Sequence, residues 1–333
     1  TTTSIPTTTR ATTTAIPTTT RATTTAIPTT TKATTTAIPT TTRATTTAIH
    51  TTTKATTTAA TTTACLPLPS GVEPAAPNNL DRIDQPNRPL DGIYKYPITS
   101  GSGVNVYIVD TGINTANVEF GGRAILGPVF CSGCPNSDDH GYPFLISIRT
   151  RYGVAKQTTL ISIKVCNSQG QCQNSDIITA LTYIRNQHRS SSNKNTVINL
   201  SLGGGFSQIL NDAVTAAVND GIHVVVAAGN FAINACQTSP ASTPEAITVA
   251  ATDTSTDTIA SFSNFGTCVN IFAPGTLITA AGNSGPASLL TFSGTSQATP
   301  HGTIALMIAS GGNKSPAQMK IDLDNLSTKN VVL

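Results

Sequence analysis

An eleven-residue unit, Thr-Thr-Thr-Arg-Ala-Thr-Thr-Thr-Ala-Ile-Pro, repeats through the first 64 residues with Arg or Lys at its fourth position. The tract contains no aromatic residue, no glycine and no acid. A segment with so little apolar bulk gains too little on burial to offset the entropy of ordering, so it is excluded from any packed core. Its prolines break a regular helix or flat sheet, which sets aside an ice-binding array of threonines. Threonine- and proline-rich tracts suit an O-glycosylated, mucin-like stalk, with an unmodified flexible linker as the other reading. The fold must be built from the residues beyond 64. We expect a linker at 65–80 and one domain over 81–333, enough chain for a single large α/β core.

The formal net charge is only +3, and five of the cations lie in the repeats. No basic stripe points to nucleic acid, and no run of eighteen apolar residues is present to span a membrane. The chain opens on Thr rather than Met and is read as a fragment or processed product, so a missing leader does not count against secretion. Seven cysteines stand at 65, 131, 134, 166, 172, 236 and 268. Beside a mucin-like tract they favour an oxidising compartment, hence an extracellular location, and disulfides. Cys131 and Cys134 form a Cys-x-x-Cys that suits zinc or redox chemistry, but Cys166 and Cys172 do not have the spacing of a second zinc knuckle. Two structural disulfides among these four is the preferred reading, with Cys65 left over.

Within the globular part, apolar runs at 103–109, 159–165, 197–202 and 222–228 read as buried strands. Helical spacing at 175–187 places Ile177, Ile178, Leu181 and Ile184 on one face, and 209–219 is a second helix. Strands alternating with helices imply parallel βαβ units with right-handed crossovers. In such sheets the ligand site lies at the carboxyl ends of the strands, where Asp110, Gly203 and Asn230 all fall. A Gly-Thr-Ser turn at 294–296 adds a serine. Singly these motifs are weak. In the order Asp, Asn, Ser they form a constellation in which an acid orients an imidazole, an amide donates to an oxyanion and a hydroxyl attacks.

With these blocks in order, the chain resembles the subtilisin-like serine proteases, within them the proteinase K branch, over about 80–330. The resemblance rests on Val109-Asp-Thr-Gly-Ile, Glu119-Phe-Gly-Gly-Arg-Ala, Tyr152-Gly-Val-Ala-Lys, Asn199-Leu-Ser-Leu-Gly-Gly-Gly, Val226-Ala-Ala-Gly-Asn, Ser261-Phe-Ser-Asn-Phe-Gly, Phe272-Ala-Pro-Gly and Gly294-Thr-Ser-Gln-Ala-Thr-Pro-His. It implies a three-layer α/β fold, a central parallel sheet with helices on both faces. It further implies Asp110 as triad acid, Ser296 as nucleophile and Asn230 as oxyanion donor. Ser201, Leu202 and Gly203 would line the specificity pocket and pair with the bound peptide as an added strand. His301 matches a structural histidine of the family. Disulfides Cys236–Cys268 and Cys134–Cys166 are implied in the same way, which leaves Cys131 with Cys172.

The pattern breaks at the base. The family's His-Gly-Thr-His block corresponds here to His140-Gly-Tyr-Pro-Phe-Leu-Ile, so the catalytic position holds Pro143 or, by the other anchor, Tyr142. Proline does not titrate and tyrosine titrates near pH 10, so neither accepts the serine proton near neutral pH. His140 lies three residues too early, while His188 and His223 fall at the wrong end of the sheet. The helix after His301 is expected to be two residues shorter than the family's. Asn270 stands where the family binds calcium through an Asp, with backbone carbonyls here from about Pro244 and Ala246, so no cofactor is required and any calcium site is weakened. The Thr-rich tract stands where the family has an inhibitory propeptide, and the chain stops slightly short of the family's C-terminus.

The break leaves three readings. The chain is a secreted serine endopeptidase by family but inactive or severely impaired, or a non-catalytic peptide binder on a stalk, or an active protease with a gene-prediction error across 142–148. The expected partner is a polypeptide substrate or ligand, with no nucleic acid, no membrane span and a monomeric state.

Overall fold

The computed structural model describes residues 70–132, 134 and 151–332. The repeats, Tyr142 and Pro143 lie outside the described residues. The described chain opens with β1 (Ser70–Pro74), α1 (Asn78–Ile83) and β2 (Ile93–Pro97), and β1 pairs antiparallel with β2. β1 and the start of α1 fall within the stretch 65–80 that the sequence suggested as a linker. Leu80 is fully buried against the core, and Glu73 forms an ion pair with Lys156. A lone leucine in a polar stretch gave no periodicity from which to read that docking.

Five segments then form part of the main sheet and its first helical layer: β3 (Asn105–Asp110), β4 (Ala124–Val129), β5 (Thr159–Lys164), α2 (Asn174–Ser190) and β6 (Thr196–Leu200); the short β7 (Gly204–Gly205) follows outside that sheet. Next come α3 (Gln208–Asn219), β8 (His223–Ala227), β9 (Thr238–Ser239), β10 (Ile247–Thr252) and β11 (Ile271–Pro274). The chain ends with a hairpin of β12 (Ile278–Ala281) and β13 (Leu289–Phe292), followed by α4 (Thr295–Ala298), α5 (His301–Gly311) and α6 (Pro316–Leu326).

Seven strands form the main sheet in the order β11-β10-β8-β6-β3-β5-β4, and every pairing in it is parallel. Buried parallel strands carry apolar residues on both faces, and these do. Val106, Ile108, Val197 and Val225 face one core with Ile304 and Leu306 of α5. Tyr107, Val109, Ile198 and Val224 face the other with Leu181 of α2 and Val214 of α3. The strand period of two thus sends neighbouring residues to opposite helical layers, giving the expected three-layer α/β fold. Sequence order reverses between β3 and β6, so the crevice at their carboxyl ends is the switch point of the sheet.

In the structure Cys236 bonds Cys268, closing 32 residues. The expected Cys134–Cys166 and Cys131–Cys172 pairs are corrected: Cys131 bonds Cys134, and Cys166 bonds Cys172. The reason is local. Asn167 Oδ1 accepts from the N–H groups of Gln169 and Gln171, folding 167–171 into a tight loop. That loop sets Cys166 and Cys172 opposite each other as an antiparallel bridge. On the other side, the Cys134 N–H donates to the Cys131 carbonyl, turning that segment back on itself.

Candidate active site

Three adjacent strands deliver the site. β3 ends at Asp110, β6 runs into Ser201-Leu202-Gly203, and β8 runs into Gly229-Asn230. A cleft of about 560 Å³ at these strand ends is lined by Asp110, Ser201, Leu202, Gly203, Asn230 and Ser296. The structure therefore brings together every described residue to which the sequence assigned the acid, oxyanion, pocket or nucleophile position.

The Ser296 hydroxyl belongs to a residue only 7 % exposed and donates to the Ser201 carbonyl at 2.9 Å. Ser201 is itself fixed, accepting from Asn199 Nδ2 at 2.9 Å and approaching Thr299 Oγ1 at 3.2 Å. Thr299 Oγ1 in turn donates to the Ser296 carbonyl at 2.7 Å. A nucleophilic serine gives its proton to a base. Here the proton is directed at a carbonyl, which cannot take it.

Asp110 is buried, and its Oδ1 accepts the Thr111 N–H at 2.7 Å. Its Oδ2 has no partner among the described residues. Burial pushes its carboxyl up to about 7, opposed by hydrogen bonds from Thr111 and by the Lys164 charge. An orphaned buried oxygen is costly. In a complete triad this face of the acid holds an imidazole N–H.

Asn230 lines the cleft, and its orientation is set from behind. Both the N–H and the hydroxyl of Thr295 donate to Asn230 Oδ1 at 2.8 Å, and Thr295 Oγ1 accepts the Gly229 N–H at 3.1 Å. With the carbonyl end occupied, the amide nitrogen is the end left to donate. Gly294 permits this approach, because a Cβ there would stand 2.6 Å from Gln297 Oε1 and 3.4 Å from Asn230 Nδ2. Asn264 holds the rest of the loop. Its Oδ1 accepts from the N–H groups of Phe231 and Ile233, and its Nδ2 donates to the Ala228 carbonyl. Gly229 adopts φ +105, and a Cβ there would meet Asn264 Nδ2 at 2.5 Å.

Thr295 and Asn264 had no assigned role at the sequence level, although both lie in blocks that carry the resemblance. Their function is visible only once β8 and the serine turn are adjacent. The serine turn itself departs from a continuous helix. α4 ends at Ala298, the extended backbone of Thr299 suits the residue before Pro300, and α5 begins at His301.

Among the described residues no histidine reaches the cleft. His301 is 1 % exposed, and burial pulls its pKa down to about 3 against an opposing hydrogen bond with the Thr299 backbone. His188 Nδ1 lies 2.9 Å from Thr196 Oγ1, and His223 Nε2 lies 2.7 Å from Asn313 Oδ1, both at the amino-terminal edge of the sheet. Burial lowers both pKa values. A neutral, anchored imidazole away from the cleft is structural.

The groups expected to hold calcium do not fit it. The Pro244 and Ala246 carbonyls both accept from the Lys320 ammonium, at 2.8 and 2.7 Å. Asn270 Oδ1 accepts the Thr248 N–H at 2.8 Å, and Asn270 brings no charge. Calcium requires six to eight oxygen ligands, carboxylates among them. Among the described residues no group of three His, Cys, Asp or Glu is placed to hold a metal, and no helix is long and apolar enough to cross a membrane.

Comparison with known proteins agrees with this geometry. The model of the subtilase family matches residues 101–330. The chain is 44 % identical over 267 residues to an extracellular serine proteinase of Thermus sp. (strain Rt41A), covering 78 % of this chain and 64 % of that one. It is 41 % identical over 247 residues to alkaline serine exoprotease A of Vibrio alginolyticus, covering 72 % of this chain and 45 % of that one, so it spans less than two thirds of either relative. Proteinase T of Parengyodontium album is 40 % identical over 237 residues, covering 70 % of this chain and 79 % of that protein. The crystal structure of a cold adapted subtilisin-like serine proteinase superposes with a TM-score of 0.72 at 36 % identity, covering 78 % of this chain and 94 % of that chain. With its parallel sheet, its serine turn and these matches, the chain belongs to the subtilase family of serine proteases.

Proposed function

We propose that this chain is a secreted serine endopeptidase by ancestry that binds extended polypeptide in its cleft but lacks the base that would activate Ser296. The observation that carries this reading is the pairing of two unemployed groups. Asp110 keeps a buried oxygen without a partner among the described residues, and Ser296 donates to a carbonyl. The residues that would stand between them in sequence are Tyr142 and Pro143 rather than histidine. Loss of one triad member lowers turnover by about 10⁶, leaving about 10³–10⁴ over water from oxyanion binding and positioning.

Peptide binding does not depend on the base. Ser201-Leu202-Gly203 offer backbone groups beside the cleft for an added strand, and Asn230 presents its amide toward a substrate carbonyl. The disulfides support an oxidising compartment, and the Thr-rich tract supports a glycosylated stalk.

A fluorophosphonate probe tests the reading, because it labels only a serine with an activated hydroxyl. The unmodified protein is expected to stay unlabelled, and Pro143→His or Tyr142→His to gain Ser296-dependent labelling. Rapid labelling of the unmodified protein would sink the proposal. If neither variant labels, the shortened helix after His301 behind the serine turn is the second lesion.

A further inference from the structure

The carbonyls of Pro244 and Ala246 converge on one point at the entrance to β10, and that point is occupied by a side chain. Lys320 rises from the middle of α6 and donates to both. α6 is otherwise attached through Met319 and Leu323, which are buried in the core shared with α5 and the sheet. The Lys320 ammonium is half-buried beside Glu245, whose carboxylate is itself held by the Thr215 hydroxyl at 2.9 Å. Burial lowers the Lys320 pKa, and the Glu245 charge opposes that.

We propose that Lys320 is an internal cation that takes the place of a bound metal at this carbonyl pair and pins α6 to the β10 entrance. Two converging carbonyl oxygens create a negative potential that some cation must balance. A mobile divalent ion needs carboxylate ligands to be held there, whereas Asn270, lining the same pocket, is an uncharged amide and the Glu245 carboxylate is engaged by the Thr215 hydroxyl. A tethered ammonium needs none, and it loses no translational freedom on arrival. Asn270 is then released for structure, bridging β10 and β11 through the Thr248 N–H. The exchange makes this part of the fold independent of calcium.

Thermal unfolding of the full chain tests the proposal. Lys320→Met keeps the stem and removes the charge. In chelator its Tm is expected to fall below the unmodified protein's by about 3–8 °C. Lys320→Met combined with Asn270→Asp frees the carbonyls and supplies a carboxylate. That double variant is expected to gain a calcium-dependent rise in Tm larger than any the unmodified protein shows. An unchanged Tm for Lys320→Met would overturn the proposal, as would a double variant no more responsive to calcium than the parent. Where Lys320→Met does not fold, Lys320→Arg keeps the charge and is expected to fold with the parental Tm. Failure of the arginine variant too would show that shape rather than charge is required, and would equally overturn the proposal.

Discussion

Thr295 holds Asn230 by its carbonyl oxygen, with N–H and hydroxyl donors both at 2.8 Å, and so turns the amide nitrogen toward the cleft. The contact joins the nucleophile turn to the end of β8 and helps to position these two parts of the site relative to each other. Thr295→Val removes the hydroxyl and leaves the Gly229 N–H without its acceptor. Loss of one partner from a buried pair costs about 1–3 kcal/mol. A denaturant titration is expected to show that loss with an unchanged slope. No loss would mean that Asn230 is oriented by something else.

Asp110 gives a pH-dependent prediction. A carboxyl held near 7 when folded, against 3.8 in its ordinary state, keeps its proton longer in the folded protein. Its effect is absent below pH 3.8; it destabilises progressively as pH rises toward 7 and is level above that. Full ionisation costs on the order of 4 kcal/mol. Asp110→Asn keeps an acceptor for the Thr111 N–H and removes the charge. The variant is expected to match the parent's Tm near pH 4 and exceed it near pH 8. A difference that does not change with pH would show that Asp110 is not a buried, unpaired acid.

The disulfides should differ in worth by loop length. Closing 32 residues at Cys236–Cys268 stabilises by about 3.7 kcal/mol in the chain-entropy account. The Cys166–Cys172 separation of 6 gives about 2.2 kcal/mol. Paired alanine substitutions, compared by denaturant unfolding, are expected to rank in that order. The reverse order would point to a packing role for Cys166, which is buried against α2 and β5.

Much of the fold was legible because buried parallel strands announce themselves. Tyr107-Ile-Val and Val224-Val-Val are β-branched or aromatic runs that end in Gly a few residues on, and both became central strands. The helix expected at 175–187 is α2, extended to Asn174–Ser190, with Ile177, Leu181 and Ile184 buried as the spacing required. β1 and α1 were missed because Leu80 stands alone among polar residues, so its burial depends on neighbours far along the chain. The disulfide pairing erred because the resemblance supplied partners for Cys134 and Cys166, whereas the Asn167 loop chose nearer ones. Lys320 could not be read as a ligand to carbonyls, since an amphipathic helix usually sends its lysines to solvent. The strand-end positions of Asp110, Gly203 and Asn230 were sufficient to locate the cleft, and the side chains that brace it emerged only from the packing.

If Ser296 is a nucleophile without its activator, as proposed, the unmodified chain and Ser296→Ala should turn over substrate alike. When one member of a triad is already lost, removing another changes turnover little. We predict that kcat/KM for a chromogenic peptide differs by less than about threefold between the unmodified chain and Ser296→Ala, since both retain only positioning and the Asn230 amide. A fall of about a hundredfold or more on removing the hydroxyl would show that a base already serves Ser296, and would contradict the account.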